Sequence, residues 1–407
     1  MPDTISLPSK SPSAKQRNME KSRSVQSRRI ISWPLKMLLC LFGIWPGLTY
    51  GLACKAFWLI VMVVGTILQY TFLVIHARTI DFTIFMYASA LTLALSTKFI
   101  KIAIFWYNQR RFNEMWRTMS TNWELGSAST SAIDSAGKIH VLRHLPNFIV
   151  AFNSISVIMN SANTLTNGIH YDEASNITQS YVVWMHLPFD VNKQSVYLVV
   201  IFLQFFYLLI LSAGAATINS VLVILMLYLG GQVDVICRCL THMPQGKHVR
   251  MTDVTVVKEI IRKHQSVITF SEHIESLYTY IALILLLLNT LITCGLGFIL
   301  VTSVGSPIFA KMVMKNLMFY CVINIETFVF CFAGEYISSK SREIGEAAYN
   351  SPWYQSKFHS RMILFMIMRS QHQLTITMGK FMDLSLERFS TITKASASYM
   401  SVLLAMY

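Results

Sequence analysis

Cys237, Cys239 and His242 are the side chains whose types suggest a metal site. Their spacing is not that of a zinc site, which draws on four converging ligands, and no second ligand pair follows. There is no glycine-rich phosphate loop, no H-E-x-x-H, no G-x-S-x-G and no carboxylate pair placed on one helix face in a cleft, so no metal, no cofactor and no enzymatic activity is expected. Two ionisable residues stand out by their surroundings instead. Glu326 lies in a long apolar run, where a carboxylate is costly in lipid and must face protein or water; it either pairs with a neighbouring helix or touches a ligand. Lys394 lies in the last apolar run, where it either raises a positive potential beside a water-filled path or snorkels along Tyr399. In that run Thr391, Ala395, Ser398, Val402 and Ala405 recur at i, i+4, i+7, i+11 and i+14, one helical face carrying only small or weakly polar side chains. Such a stripe serves either close packing between membrane helices or the wall of an aqueous pathway. The bulkier Phe389, Ile392, Tyr399, Met400, Leu403, Leu404 and Met406 occupy the other faces and suit lipid or neighbouring helices.

The elements that position these residues follow from composition and periodicity. Hydrophobic residues make up 54% of the chain and charged residues 13%, far below the roughly 25% charged of a soluble domain, and mean hydropathy is +0.48. That composition predicts an all-α membrane protein with the lipid bilayer as its solvent. The net charge of +14 does not point to nucleic acid, because the basic residues are scattered between apolar runs and are not interleaved with base-stacking aromatics. Residues 1–36 combine eight lysines and arginines with serines and prolines and lack an apolar stretch, and are read as a disordered basic cytosolic tail. Seven runs are long enough to cross a bilayer, at about 52–76, 80–107, 144–162, 194–229, 276–303, 307–336 and 374–406. Residues 33–48 are apolar but broken by Pro34, Gly43, Pro46 and Gly47, and are expected to form an interfacial helix ahead of the first span.

Lysine and arginine number 28 on one side of these spans and four on the other, with Arg388 and Lys394 inside the last span. The N-terminus is therefore expected in the cytosol and, with an odd number of spans, the C-terminus outside. The sequon Asn176-Ile177-Thr178 falls in the outer loop at 163–193 and makes Asn176 a glycosylation candidate. None of the seven cysteines lies in that loop, so no extracellular disulfide is implied. Val257, Ile260, Ile261, His264, Val267, Ile268, Ser271, Ile274 and Tyr278 repeat at helical spacing. The pattern predicts a cytosolic helix extension over 250–275, continuous with the fifth span, or else a helix lying on the membrane surface. With an amphipathic helix at 358–368, the extension builds a cytosolic helical anchor bundle. The chain thus divides into the tail (1–36), a six-helix ligand-binding region (37–336), an anchor segment (337–372) and the seventh, pore-lining transmembrane helix (373–407).

Ala348-Tyr349, Trp353, Met368-Arg369-Ser370-Gln371, Gly379-Lys380-Phe381, Leu384-Ser385-Leu386, Phe389, Lys394, Ser396, Ser398 and Tyr399 together resemble the C-terminal signature of the insect odorant receptors. The resemblance is dense over 331–407 and thinner upstream, where Gly43-Ile44-Trp45-Pro46 matches that family's segment before its first span. It implies an odorant-tuning subunit of a ligand-gated, non-selective cation channel, multi-pass in the plasma membrane of olfactory sensory neuron dendrites. Its partners would be co-receptor (Orco) subunits in a heterotetramer and a small volatile odorant. The resemblance makes the stripe pore-lining, with Val402 at a hydrophobic constriction and Ala405 near the outer mouth. The co-receptor carries an amide where this chain has Ala405, so conduction is expected to need co-receptor subunits.

A site for a mostly apolar ligand should be lined by aromatic and methionine side chains with few polar groups. The resemblance places it in the outer halves of the second, third, fourth and sixth spans. These supply Phe85 and Tyr87; Ser154, Val157 and Ser161; Tyr197, Ile201 and Phe205; and Met314, Met318 and Tyr320. A gustatory receptor shares the architecture, but its closing Thr-Tyr…Gln-Phe pattern is absent from a chain ending Val402-Leu-Leu-Ala-Met-Tyr407. A G-protein-coupled receptor would place its N-terminus outside and carry D-R-Y and N-P-x-x-Y segments, and a secondary transporter would show inverted repeats.

Overall fold

The computed structural model describes residues 31–126, 132–167, 182–188, 194–242, 251–302, 309–355 and 357–406. Its helices are α1 (Trp33–Leu41), α2 (Gly51–His76), α3 (Phe82–Tyr107), α4 (Gln109–Gly126), α5 (Ala132–Asn167), α6 (Gln194–Thr241), α7 (Met251–Thr302), α8 (Phe309–Asn350), α9 (Lys357–Ser370) and α10 (Leu386–Met406). Two short strands, β1 (Thr377–Met378) and β2 (Met382–Asp383), pair antiparallel just before α10. Six of the helices, α2, α3, α5, α6, α7 and α8, contain stretches long and apolar enough to cross a membrane. They coincide with the first six expected spans. At 21 residues α10 measures about 30 Å, a bilayer's apolar thickness, and is the most polar of the seven.

Besides α5, with 36 residues, three helices are much longer than a bilayer requires. α6, α7 and α8 have 48, 52 and 42 residues, or about 72, 78 and 63 Å. The periodicity at 250–275 predicted this for α7, where Val257, Ile260, His264, Val267, Ser271, Ile274 and Tyr278 are all buried and Lys258, Arg262 and Glu272 exposed. That face packs against protein, which removes the alternative of a helix lying on lipid. The extension of α6 past Leu229 and the unbroken course of α8 through residues 336 and 337 were not expected. Both are tied down by polar contacts beyond the span. Lys340 of α8 donates to Asp234 of α6 at 2.9 Å and to Glu343 at 2.6 Å, and Asn122 of α4 donates to the Tyr228 hydroxyl at 2.8 Å. The amphipathic helix expected at 358–368 is α9, which buries Ile363 and Met366 and packs on α8.

α1 is not merely interfacial. Leu35 and Leu39 are buried as it packs against α5 and α6, while Trp33, Met37 and Leu41 face outward. The turn after it needs glycine: Gly43 has φ +64°, and a Cβ there would stand 2.5 Å from the Gly51 carbonyl oxygen.

The expected seventh span, 374–406, is corrected at its start. Residues 374–385 form the β1–β2 hairpin and the helix begins only at Leu386. Gly379 and Lys380 adopt φ of 59° and 65°, the two consecutive positive values of a tight hairpin turn, and Leu384 N donates to Ile376 O at 2.8 Å. A run read as helix by its hydropathy is therefore reversed by backbone conformation.

Candidate functional site

α10 packs by one face only. Phe389, Ile392, Met400, Leu403 and Leu404 join the hydrophobic core against α7 and α8, Ser396 is buried, and the Phe389 ring meets Phe328 edge-on at 5.6 Å. The opposite face carries the small-residue stripe, with Thr391, Ser398, Val402 and Ala405 exposed and Ala395 half-buried. Close packing of small residues inside the chain is thus not what the stripe serves. Tyr399 and Met406, expected among the bulky residues that meet lipid or neighbours, are exposed beside it, as is Lys394.

The hairpin fixes the base of α10. Gly379 N donates to Thr279 O of α7 at 3.1 Å. The Thr377 hydroxyl donates to Glu275 at 2.7 Å and lies 3.2 Å from the Thr279 hydroxyl. Gly334 of α8 admits the hairpin's exit, since a Cβ there would stand 2.4 Å from Leu384 O.

The intramembrane carboxylate has its partner within the bundle. Glu326 of α8 pairs with Lys101 of α3, and Asn219 of α6 bridges them, accepting from Lys101 and donating to Glu326 at 3.0 Å each. One turn away Lys98 donates to Ser212 at 3.1 Å. Both lysines are counted among the 28 on the inner side, yet they lie inside α3 and serve the bundle. A buried pair of this kind holds three helices in one arrangement, because separating the charges leaves each uncompensated in a medium of low dielectric constant.

The expected ligand residues are only partly gathered. Tyr87 of α3 donates to Asn160 of α5 at 2.8 Å, which joins the second and third spans. Tyr197, Ile201 and Ser161 are buried; Phe85, Val157, Phe205, Met318 and Tyr320 are half-buried. Ser154 is half-buried and donates to Val150 O at 2.9 Å, within its own helix. The side chain of Met314 and all of Asn176 lie outside the described residues. An open cavity of about 400 Å³ is found elsewhere, on the lipid-facing side of α2, lined by Thr66, Ile67, Tyr70, Thr71, Val74 and Ile75.

Two buried side chains in the outer half of the bundle have no hydrogen-bond partner among the described residues. They are Ser161, which was expected at the site, and Gln69 of α2, which was not. Each unmatched buried group costs about 1–3 kcal/mol. The signal for Gln69 was present in the sequence as a lone amide in a 26-residue apolar helix. Beside it runs the segment 182–188 of the outer loop. His186 N donates to Leu68 O at 3.1 Å, the Trp184 ring lies 5.5 Å from that of Phe72, and the Val183 backbone exchanges two hydrogen bonds with the Gln204 amide of α6.

The family model described as 7tm Odorant receptor matches residues 81–397. The chain belongs to this odorant receptor family. Among its relatives, Odorant receptor 67c of Drosophila melanogaster is 27% identical over 153 residues, 36% of each chain. Odorant receptor 22c of the same species is 20% identical over 369 residues, covering 84% of this chain and 86% of that one. The alignments with the first four relatives span only 36–43% of those proteins' own lengths. The structure of the insect olfactory receptor OR5 from Machilis hrabei, alone and in complex with eugenol, superposes with a TM-score of 0.72 at 14% identity, over 96% of this chain and 99% of that one. This odorant receptor is therefore an all-α, seven-helix membrane protein, of a family of receptors rather than of enzymes.

Proposed function

We propose that this odorant receptor is a ligand-tuning subunit. It binds a small, mostly apolar odorant among α3, α5, α6 and α8 and gates a cation pathway bordered by α10, in a heterotetramer with co-receptor subunits in the dendritic membrane of olfactory neurons. The observation that carries this reading is the division of α10 into a packed bulky face and a bare face of Thr391, Ser398, Val402 and Ala405. A bare face of small side chains suits water or the same helix of another subunit better than lipid, which large apolar residues fill. Gating follows from differential affinity: a ligand bound better by the open arrangement shifts the population toward it. The path from ligand to pore is short, because α6 and α8 contribute to the expected pocket, α8 supports Phe389, and α7 holds the hairpin at Thr279.

Ala405 brings no polar group to the outer mouth, so the chain alone is expected not to conduct. Odorant-evoked cation current should appear on co-expression with the co-receptor and be absent without it. Ser398→Trp and Val402→Trp should reduce that current about tenfold or more, or change its ion preference, at unchanged surface expression. Full current with unaltered selectivity in both variants overturns the assignment of α10.

A further inference from the structure

Gln69 of α2 and Gln204 of α6 are both buried, Gln204 bonded to the outer segment 182–188 and Gln69 next in the chain to Leu68, which that segment bonds. Their amides are in opposite states. Gln204 gives and receives one hydrogen bond each with the Val183 backbone, at 3.1 and 3.3 Å, so it fastens the segment. Gln69 gives and receives none.

The segment crosses α2 immediately on both sides of Gln69, through the hydrogen bond at Leu68 and the ring contact at Phe72. One turn inward is Gly65, where a Cβ would stand 2.8 Å from the Tyr207 hydroxyl oxygen of α6. Met62, Gly65, Gln69 and Phe72 are the inward face of α2, so the amide looks into the bundle rather than toward lipid. A donor and an acceptor are therefore fixed side by side on the inward face of α2 beneath segment 182–188, with no partner for either among the described residues.

We propose that Gln69 is the polar anchor of the odorant site. Its amide hydrogen-bonds a hydroxyl or carbonyl oxygen of the ligand, so that this receptor selects oxygenated small molecules over hydrocarbons of the same shape. The inference rests on the odorant-binding reading and adds a contact from the first span to the four helices already assigned. Its physical basis is asymmetry. A site built to hydrogen-bond a ligand discriminates strongly against an analogue that leaves the buried group unmatched, whereas apolar contacts alone discriminate weakly. An amide kept unmatched for this purpose lowers the stability of the empty protein, and its removal should restore that stability.

The full-length chain, purified in detergent, is melted alone and with three matched pairs of probes: benzyl alcohol and toluene, hexan-1-ol and hexane, cyclohexanone and cyclohexane. Wild-type protein should be stabilised more by the oxygenated member of at least one pair. Gln69→Leu should abolish that difference while its ligand-free melting temperature stays equal to or rises above that of wild type, and Gln204→Leu should lower the ligand-free melting temperature. The proposal is overturned if Gln69→Leu melts as low as Gln204→Leu, which marks a structural amide, if the oxygenated preference survives the substitution, or if wild type shows no preference. In cells expressing the co-receptor, Gln69→Leu should raise the half-maximal concentration for the oxygenated probe about tenfold or more and that for its hydrocarbon less than about threefold. A preference seen in melting but accompanied by no evoked current in wild type would support the anchor while removing the gating role, so the two readings fail separately.

Discussion

The inner and outer halves of the bundle treat their buried polar atoms differently. Toward the cytosol Lys101 pairs with Glu326 and Asn219, and the half-buried Lys340 with Asp234 and Glu343. In the outer half the whole Gln69 amide and the Ser161 hydroxyl are buried with no partner among the described residues, whereas on the inner side this holds for a single oxygen, that of Asn113, and midway along the span in α7 for that of Asn289. Satisfied polar networks rigidify and specify one packing. Unsatisfied groups cost stability and remain available. The contrast suits a receptor whose outer half receives a small molecule and whose inner half must convert that event into one of a few discrete arrangements.

The largest effect should come from breaking the inner network on one side only. Lys101→Met leaves Glu326 buried without its counter-ion and should cost about 3–5 kcal/mol, seen as lost surface expression and a lower melting temperature. Combining it with Glu326→Leu should recover most of that loss, because no charge is then left alone. Next in size is the contact between α8 and the hairpin. Gly334→Ala forces a methyl group against the Leu384 carbonyl and should cost about 1–3 kcal/mol, with odorant-evoked current falling more than surface expression. Ser161→Ala in the outer half removes a hydroxyl with no partner among the described residues and should raise stability, by at most about 1–3 kcal/mol. A loss above about 1 kcal/mol in melting experiments would erase the distinction between the halves. Smallest of all should be Arg262→Ala, which removes an exposed pair with Glu259 and should be worth at most about 0.5 kcal/mol in the same measurement.

What could be read from residue order was whatever depends on local periodicity. The six apolar helices, the extension of α7 into the anchor, α9 and the two faces of α10 are all patterns repeating within a few residues. The misreadings share a cause. The hairpin before α10 depends on left-handed backbone at Gly379 and Lys380, which hydropathy does not register. The partner of Glu326 lies 225 residues away, so the sequence shows that a partner is required without showing which lysine provides it. Lys98 and Lys101 count toward the inner side although the span read at 80–107 already contains them, and their partners in α6 and α8 lie 114 and 225 residues away. Gln69 escaped notice because an amide in a long apolar run reads as an ordinary exception until every possible partner is seen to be occupied or absent.

The last helix is joined to the fifth span by a main-chain bond from Gly379 N to Thr279 O, by the Thr377 hydroxyl at Glu275 and by packing along α10. None of these contacts involves a residue of the expected odorant site. A lineage of receptors built on this frame can rewrite its chemical preferences residue by residue while the drive train beneath is inherited intact.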